Sequence, residues 1–263
     1  MKGIATNRWP WSSEANRPQE EKTVENFLKE AAEAGYEAVE FVMEVGDVAA
    51  IVRERGLKVC GGYVGGPLHL PWEQIATEKM LAVARQLGEL GADYLCVNSD
   101  PKGNWSKRER KSDDELKRQG ENLSRLAREV KPLGLRILLH NHANTKPLHL
   151  DDLKSVSDYA DPSVGVCLDT GWALTSEDDP VACARRLGKR LGGLHLRNQR
   201  RDVPVEWLGE GDMDVAAFLN VLKKNSYNGW LTTELWHRND VKVTQSLMED
   251  HRRTVELLRN LWG

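Results

Sequence analysis

The sequence of 263 residues predicts a single α/β domain, a (β/α)8 barrel that spans residues 1–263. Two observations predict this fold class. Short apolar runs rich in β-branched residues alternate with longer amphipathic stretches along the whole chain, as buried parallel strands alternate with helices. There are eight such units of about 33 residues each, and eight is the number that closes a parallel sheet into a barrel. No linker, repeat or low-complexity tract divides the chain.

The eight predicted strands each have a continuous apolar centre, which is typical of strands buried on both faces. In chain order they cover residues 3–6, 37–42, 57–62, 93–98, 136–141, 164–169, 192–197 and 230–235. An open doubly wound sheet that binds a dinucleotide would instead carry G-x-G-x-x-G after an early strand. The segment GGYVGG at 61–66 has the wrong spacing for that motif, which favours the closed barrel.

Amphipathic stretches between the strands predict the helices. The stretch at 20–35 has an apolar face formed by Val24, Phe27, Leu28 and Ala31. The stretch at 113–134 has one formed by Leu116, Leu123, Leu126 and Val130. A last helix is predicted at about 242–261. A helix that leads into a strand needs a left-handed C-cap, which favours glycine. Four such positions hold one, namely Gly35, Gly56, Gly91 and Gly134.

Composition and charge exclude several classes of protein. With 40% hydrophobic and 29% charged residues, the chain has the composition of a folded soluble domain. A net charge of −3 provides no basic surface for nucleic acid or an anionic membrane. No run approaches the roughly 20 apolar residues of a membrane span, and the first residues lack the apolar core of a signal peptide. Four scattered cysteines without a C-x-x-C pair are typical of free thiols. We therefore expect a soluble cytoplasmic protein without nucleic-acid or membrane partners.

Ionisable residues lie in or at the ends of four consecutive predicted strands, namely His140, Asp169, His195 and Glu234. Because function in a parallel barrel collects at the C-terminal ends of the strands, we expect these side chains to meet. Two imidazoles and two carboxylates form a mixed nitrogen and oxygen site for one divalent ion, with Mn²⁺, Mg²⁺, Co²⁺ and Zn²⁺ as candidates. A single residue of this kind is more often a hydrogen-bonded cap, but burying four without partners would cost several kcal/mol each.

Further polar residues near the strand ends are candidates for contacts with a substrate. His142 lies two residues after His140, on the same side of the chain, and is either a substrate contact or an alternative ligand. Glu40 and Asn98, near the ends of strands two and four, are candidate hydroxyl-binding groups. We expect His149 to be solvated or packed within the loop after strand five.

The loops after strands seven and eight add three more candidates. Arg201 is our candidate for holding a substrate oxygen, with Arg197 and Arg200 as alternatives. Glu210, which stands between two glycines, is either a second acid–base group or a turn residue. His237 follows strand eight closely enough to approach the barrel mouth.

Nine tryptophans beside three phenylalanines and five tyrosines are an unusual aromatic balance. The predicted loops that follow strands cover less than a third of the chain, yet they hold seven of the nine: Trp9, Trp11, Trp72, Trp105, Trp172, Trp207 and Trp236. Flat indole rings pack on the apolar faces of sugar rings and exclude water from a reaction. We therefore take Trp9, Trp172 and Trp236 as candidate substrate contacts. The alternative is that the loop tryptophans plug the barrel mouth or form a subunit contact.

Five segments resemble the xylose-isomerase-like TIM-barrel superfamily of sugar isomerases, epimerases and inosose dehydratases. They are GLRILLHNHANT, VGVCLDTGWAL, GGLHLRNQRRD, WLGEGDMDVAAFLNVLKKNSYNGW and LTTELW, within about residues 134–236, while GYEAVEF resembles the family's second strand more loosely. Three features are specific for this family when they occur together. They are D-T-G after strand six, His-x-basic in strand seven, and G-E-G-D followed by a helix and Y-x-G-W. The resemblance implies the metal ligands His140, Asp169, His195 and Glu234.

The chain departs from the family pattern at two positions. Many epimerases have Glu at the strand-five position of His140, and the family has a substrate-contacting His where this chain has Trp172. Two-base epimerisation needs one carboxylate on each face of the substrate carbon, so the first departure disfavours it. An H-x-H in strand five is instead familiar from the inosose-dehydratase-like and uncharacterised sugar isomerase branches.

The resemblance implies an enzyme that isomerises or epimerises a ketose or keto-sugar through proton abstraction by Glu234 and an enediolate, with Mn²⁺ as the favoured ion. One alternative is a lyase of the same superfamily, either an inosose dehydratase or an enzyme that eliminates across a 3-keto-glycoside. Another is a non-catalytic sugar-binding barrel. Endonuclease IV shares the superfamily, but seven histidines and a net charge of −3 argue against three zinc ions and a DNA-binding face. Symmetric homo-oligomers are common among such enzymes.

Overall fold

Eight parallel strands form the centre of the molecule, as predicted. The computed structural model describes residues 1–13, 18–236, 238 and 240–263. The strands are β1 (Gly3–Asn7), β2 (Ala38–Val42), β3 (Lys58–Gly66), β4 (Tyr94–Ser99), β5 (Arg136–His140), β6 (Gly165–Asp169), β7 (Leu191–His195) and β8 (Trp230–Thr233). Neighbouring strands from β1 to β7 pair in parallel, and β8 pairs in parallel with β1.

The barrel closes between β7 and β8 through Leu196, the residue after β7. The backbone N–H of Leu196 donates to the carbonyl of Thr232 at 2.7 Å, and its carbonyl accepts from the N–H of Glu234 at 3.0 Å. Leu196 also forms a parallel bridge with Thr233. The eight strands therefore form a nearly closed TIM barrel, which confirms the predicted fold class.

Helices follow the strands along the chain. They are α1 (Trp9–Ser13), α2 (Val24–Ala34), α3 (Ala49–Glu54), α4 (Thr77–Glu89), α5 (Asp113–Val130), α6 (Lys146–Ser157), α7 (Thr170–Thr175), α8 (Pro180–Leu187), α9 (Val215–Lys224) and α10 (Leu247–Trp262). The stretches predicted at 20–35 and 113–134 form α2 and α5. Thr23 caps α2 at its start, and Ser112 with Glu115 forms a capping box on α5. The predicted last helix is α10, which begins later than predicted, after the N-cap Ser246.

The segment GGYVGG belongs to β3, which extends beyond its predicted end. Gly66 still pairs with Ser99 of β4 at the end of the strand. A Cβ added to Gly61 would lie 2.3 Å from the ring of Tyr94. Gly61 therefore allows β3 to pass close to Tyr94 inside the barrel, which is a packing role.

Apolar side chains fill two separate regions. The larger core combines residues of the strands with the inner faces of the helices. A smaller cluster lies inside the barrel and consists of Ala5, Ala38, Cys60, Tyr94, Cys96, Leu138, Cys167 and Trp230. All four cysteines are buried and free. Within the described residues, no helix combines the length and apolarity that crossing a membrane requires.

Candidate metal centre

The four predicted ligands come together at the C-terminal end of the barrel. His140, Asp169 and His195 end β5, β6 and β7, and Glu234 directly follows β8. His140 Nε2 lies 3.4 Å from Asp169 Oδ2, and His195 Nδ1 lies 3.2 Å from Glu234 Oε2. His140, Asp169 and His195 each offer one ligand atom within 4.8 Å of the others, and Glu234 joins this group through His195. All four side chains are largely shielded from solvent.

Asp169 is held by one carboxylate oxygen while the other faces the centre. Its Oδ1 accepts from the backbone N–H of Trp172 at 2.8 Å and from Nε of Arg197 at 3.0 Å. The side-chain amide of Asn141 also bonds both backbone polar groups of Asp169, at 2.7 and 3.1 Å. Oδ2 is buried and has no hydrogen-bond partner among the described residues. The fixed carboxylate therefore presents one free oxygen to the position between the ligands.

The two histidines also present unpaired nitrogens. His195 donates from Nε2 to Oε1 of Glu40 at 2.8 Å, whereas its Nδ1 lies near Glu234 without hydrogen-bond geometry. Neither ring nitrogen of His140 has a hydrogen-bond partner within the described ranges. Buried polar atoms without partners are costly, and several that converge on one point are satisfied together by a cation. Two imidazole nitrogens with two carboxylates suit a divalent ion such as Mn²⁺, Co²⁺ or Zn²⁺.

Neighbouring charges keep both carboxylates ionised. Burial alone would raise the pKa of Asp169, but Arg197 and His140 hold it well below its usual range. Burial also opposes the charge of Glu234, yet His195 and Arg197 keep its pKa below the ordinary value. Both side chains are therefore anionic at neutral pH and available to a cation or a proton.

A cavity of about 330 Å³ opens above this centre. Four of the predicted substrate contacts line the cavity, namely Trp9, His142, Trp172 and Trp236, together with the predicted ligands His140 and Glu234. The ring centres of His142 and Trp172 lie 4.2 Å apart, with the ring planes tilted by 41°. Burial, followed by the nearby His140, lowers the pKa of His142 to about 3, so this ring is neutral. His142 thus forms part of the wall, whereas His140 belongs to the group of four predicted ligands, which we call the ligand group.

Arg197, rather than Arg201, is the basic residue at the cavity. Arg197 is largely shielded from solvent, lines the cavity and lies with its guanidinium 5.4 Å from the ring centre of Trp172. Arg201 lies outside, because the chain turns away in a short hairpin formed by residues 199–204. Arg201 is exposed, has a positive φ of 58°, and donates its backbone N–H to Asp212 at 2.5 Å. The structure therefore does not bring Arg201 to the site.

Three other predicted residues also lie outside the cavity lining. Glu210 is exposed and accepts from Nε1 of Trp207 at 2.9 Å, which is the arrangement of a turn residue. Asn98 is buried at the end of β4, beside His140 in the sheet. Glu40 is buried beneath His195 and exposes no surface for a substrate hydroxyl.

His149 differs from its prediction because it is not in a solvated loop. It lies in α6, which begins soon after β5, and it is fully buried. Its Nε2 contacts Asp178 Oδ2 at 3.1 Å. His237 lies outside the described residues.

Four cavity residues were missed by the sequence reasoning, namely Asn7, Val42, Met43 and Tyr63. Asn7 donates to Glu234 Oε2, and Tyr63 meets the ring of His140 edge-on at 5.2 Å. Asn7 ends β1 as His140 ends β5, so the same rule about strand ends would have identified it. Tyr63 lies inside β3 rather than at its end, so the rule about strand ends does not select it.

Some of the tryptophans that were predicted at the barrel mouth lie there, and others do not. Trp105 is exposed and packs against His142 at 5.1 Å. Trp11, by contrast, is buried in the core between Phe27 and His251, with ring distances of 5.0 and 4.3 Å. The unusual aromatic composition therefore serves both the cavity and the core.

Comparisons with known proteins agree with this fold. The sequence model of the family described as xylose isomerase-like TIM barrel matches residues 28–261. The rhizopine catabolism protein MocC of Rhizobium meliloti is 25% identical over 240 residues, which cover 80% of this chain and 74% of that protein. An inosose dehydratase of Clostridium beijerinckii is 24% identical, with 81% and 82% of the two chains covered. The structure of an L-ribulose 3-epimerase superposes with a TM-score of 0.77 at 18% identity, covering 100% of this chain and 95% of that one. The chain belongs to the xylose isomerase-like TIM-barrel family.

Proposed function

We propose that the protein is a divalent-metal-dependent enzyme that removes the proton beside the carbonyl of a keto-sugar or keto-inositol, with Glu234 as the base. The observation that carries this proposal is the convergence of unpaired buried atoms from His140, Asp169 and His195 beside Glu234. The related proteins support a sugar-like substrate, because they include inosose dehydratases and sugar 3-epimerases by name.

The ligand group would hold one ion through His140, Asp169, His195 and Glu234, with Mn²⁺ as the favoured metal. A divalent ion supplies Lewis-acid polarisation of the substrate carbonyl, which acidifies the neighbouring C–H bond. Glu234 is ionised and lines the cavity, and its Oε1 lies 4.0 Å from Arg197 Nε, while Oε2 accepts from Asn7. Oε1 is therefore the oxygen free to accept the proton.

The walls of the cavity suit the apolar faces of a sugar ring. Trp9, Trp172 and Trp236 provide flat surfaces around the mouth, and Tyr63 lies near the ligands. Indole and phenol rings pack against the C–H faces of a ring and exclude water, which protects a reactive enediolate from side reactions.

Removal of the proton leads to isomerisation, epimerisation or elimination, and one observation favours elimination or isomerisation over two-base epimerisation. Among the described residues that line the cavity, Glu234 is the single carboxylate. Epimerisation with one carboxylate on each face needs a second one, and strand β5 offers His140 instead. Loss of a β-hydroxyl, as in a dehydratase, is therefore our second candidate beside the isomerase that the family resemblance implies.

The test incubates the purified protein and Mn²⁺ with ketoses and keto-inositols in D₂O. Solvent deuterium beside the carbonyl without loss of water identifies an isomerase or epimerase, and an unsaturated product identifies a lyase. Absence of both divalent-ion binding and exchange would overturn the proposal and favour the alternative of a non-catalytic barrel.

A pair of variants tests the base within the same assay. Glu234→Gln should abolish exchange, whereas Glu210→Gln, which alters an exposed turn residue, should leave it unchanged. Exchange retained in Glu234→Gln would reject Glu234 as the base.

A further inference from the structure

Glu40 reaches the underside of the ligand group from the opposite wall of the barrel. It lies in β2, and its side chain is fully buried. Side chains alternate along β2, so Glu40 faces the same side as Ala38, which belongs to the cluster inside the barrel, whereas Val39 packs in the larger core. The carboxylate therefore points into the barrel, towards His195 of β7.

Both oxygens of Glu40 are used inside the barrel. Oε1 accepts from Nε2 of His195 at 2.8 Å, and Oε2 accepts from the hydroxyl of Tyr94 at 2.6 Å. Tyr94 can occupy this position because Gly61 has no Cβ to collide with its ring. Neither oxygen faces the cavity, so a substrate cannot reach this carboxylate.

The contact with Glu40 determines which nitrogen of His195 is available to an ion. A histidine that binds a metal ion does so as a neutral imidazole, and one that donates from Nε2 carries its lone pair on Nδ1. Nδ1 is the unpaired atom that lies 3.2 Å from Glu234. A carboxylate bonded to the far nitrogen of a metal-ligating histidine also fixes the ring orientation and makes the ligand more basic.

We propose that Glu40, supported by Tyr94, is a positioning residue that keeps His195 protonated on Nε2 and aims Nδ1 at the bound ion. This inference rests on the proposed function in one respect, namely that His195 is a ligand. It assigns to Glu40 a role that differs from the hydroxyl-binding role predicted from the sequence.

The first experiment measures Mn²⁺ affinity by the electron paramagnetic resonance signal of the free ion. Glu40→Gln keeps the shape of the side chain but removes its charge, and should weaken Mn²⁺ binding about 10- to 100-fold. Tyr94→Phe removes one support of the carboxylate and should have a smaller effect. Glu37→Gln is the matched control, because this exposed residue lies just before β2, at the other end of the strand. It should bind Mn²⁺ like the wild type.

The second experiment needs no variant and therefore does not depend on how Glu40→Gln folds. In the wild-type protein loaded with diamagnetic Zn²⁺ and labelled with ¹⁵N-histidine, His195 should carry its proton on Nε2 and the metal on Nδ1. The reverse arrangement would overturn the proposal, as would unchanged Mn²⁺ affinity in a folded Glu40→Gln protein. If the wild type binds neither Mn²⁺ nor Zn²⁺, the proposed function itself fails. If the wild type binds Mn²⁺ and Glu40→Gln binds it equally well, only the role of Glu40 is rejected.

Discussion

Arg197 donates its Nε–H to Oδ1 of Asp169 at 3.0 Å; Asp169 is fully buried and Arg197 is largely shielded from solvent. This ion pair balances one carboxylate of the ligand group and leaves Oδ2 of Asp169 directed at the centre. Arg197 also lies against the face of Trp172, so a single side chain links the ligand group to the cavity wall.

Replacement of Arg197 should strongly destabilise the metal-free protein. Arg197→Ala leaves Asp169 as a buried carboxylate without its cation, and breaking a buried pair in this way typically costs about 3–5 kcal/mol. Urea denaturation in the presence of a chelator measures the free energy of unfolding. The exposed Arg201→Ala is the control and should change it by no more than about 0.5 kcal/mol. Equal effects of the two substitutions would show that the pair with Asp169 contributes little.

Divalent metal should stabilise the fold through the ligand group. An ion that binds only the folded state adds about 2.7 kcal/mol when its concentration is a hundred times its dissociation constant. We expect Mn²⁺ to raise the free energy of unfolding of the wild type by this amount, and to have little effect on His140→Ala. His69→Ala removes a histidine that the ligand group does not include, so it should keep the full increment. An increment that survives in His140→Ala would place the ion elsewhere.

The indole of Trp172 should contribute to substrate binding rather than to the chemical step. Trp172→Ala removes the ring from the cavity wall but keeps the backbone N–H that bonds Asp169. Loss of one aromatic contact, about 1 kcal/mol, should raise KM roughly five- to tenfold with a smaller change in kcat. Trp207, which stacks under Arg253 at 4.1 Å, is the matched control. Steady-state kinetics that show the same loss in Trp207→Ala would argue against a specific role.

His69 should make the fold sensitive to acid. It is buried, and burial followed by the nearby Lys111 lowers its pKa from 6.5 to about 4. Between these two pH values the unfolded chain binds a proton that the folded protein excludes, so the free energy of unfolding falls as the pH falls. His69→Gln cannot bind this proton. The free energy of unfolding of the wild type minus that of the variant should therefore fall by roughly 1–3 kcal/mol from pH 6.5 to 4. Urea titrations across this range would contradict the assignment if the difference stayed constant.

The sequence predicted the ligand group because a simple geometric rule applies to it. The C-terminal ends of parallel strands meet on one face of a barrel, so His140, Asp169, His195 and Glu234 had to come close together once their strands were identified. Those strands were identifiable because they are buried on both faces and therefore read as continuous apolar runs.

The same rule does not give the depth at which a side chain lies. Glu40 was correctly placed near the end of a strand, but it faces the inside of the barrel, as Ala38 does, and lies beneath the predicted ligands. Arg201 was predicted at the mouth because it follows strand seven, whereas the hairpin at 199–204 carries it outwards. The depth of a side chain and the course of a short hairpin depend on tertiary contacts and leave no periodic pattern in the sequence.

Because the barrel closes through Leu196, an ion bound by the ligand group would also affect the stability of this closure. His195 and Glu234 stand on opposite sides of that seam, where a pair of backbone hydrogen bonds involving Leu196 joins the two edges. An ion held by both side chains would act as a cross-link between the last strand and the seventh, and so between segments that are distant along the chain. Loss of the ion would then loosen the seam first, and the amide protons of Leu196 and Glu234 would exchange with solvent before those of the other strands.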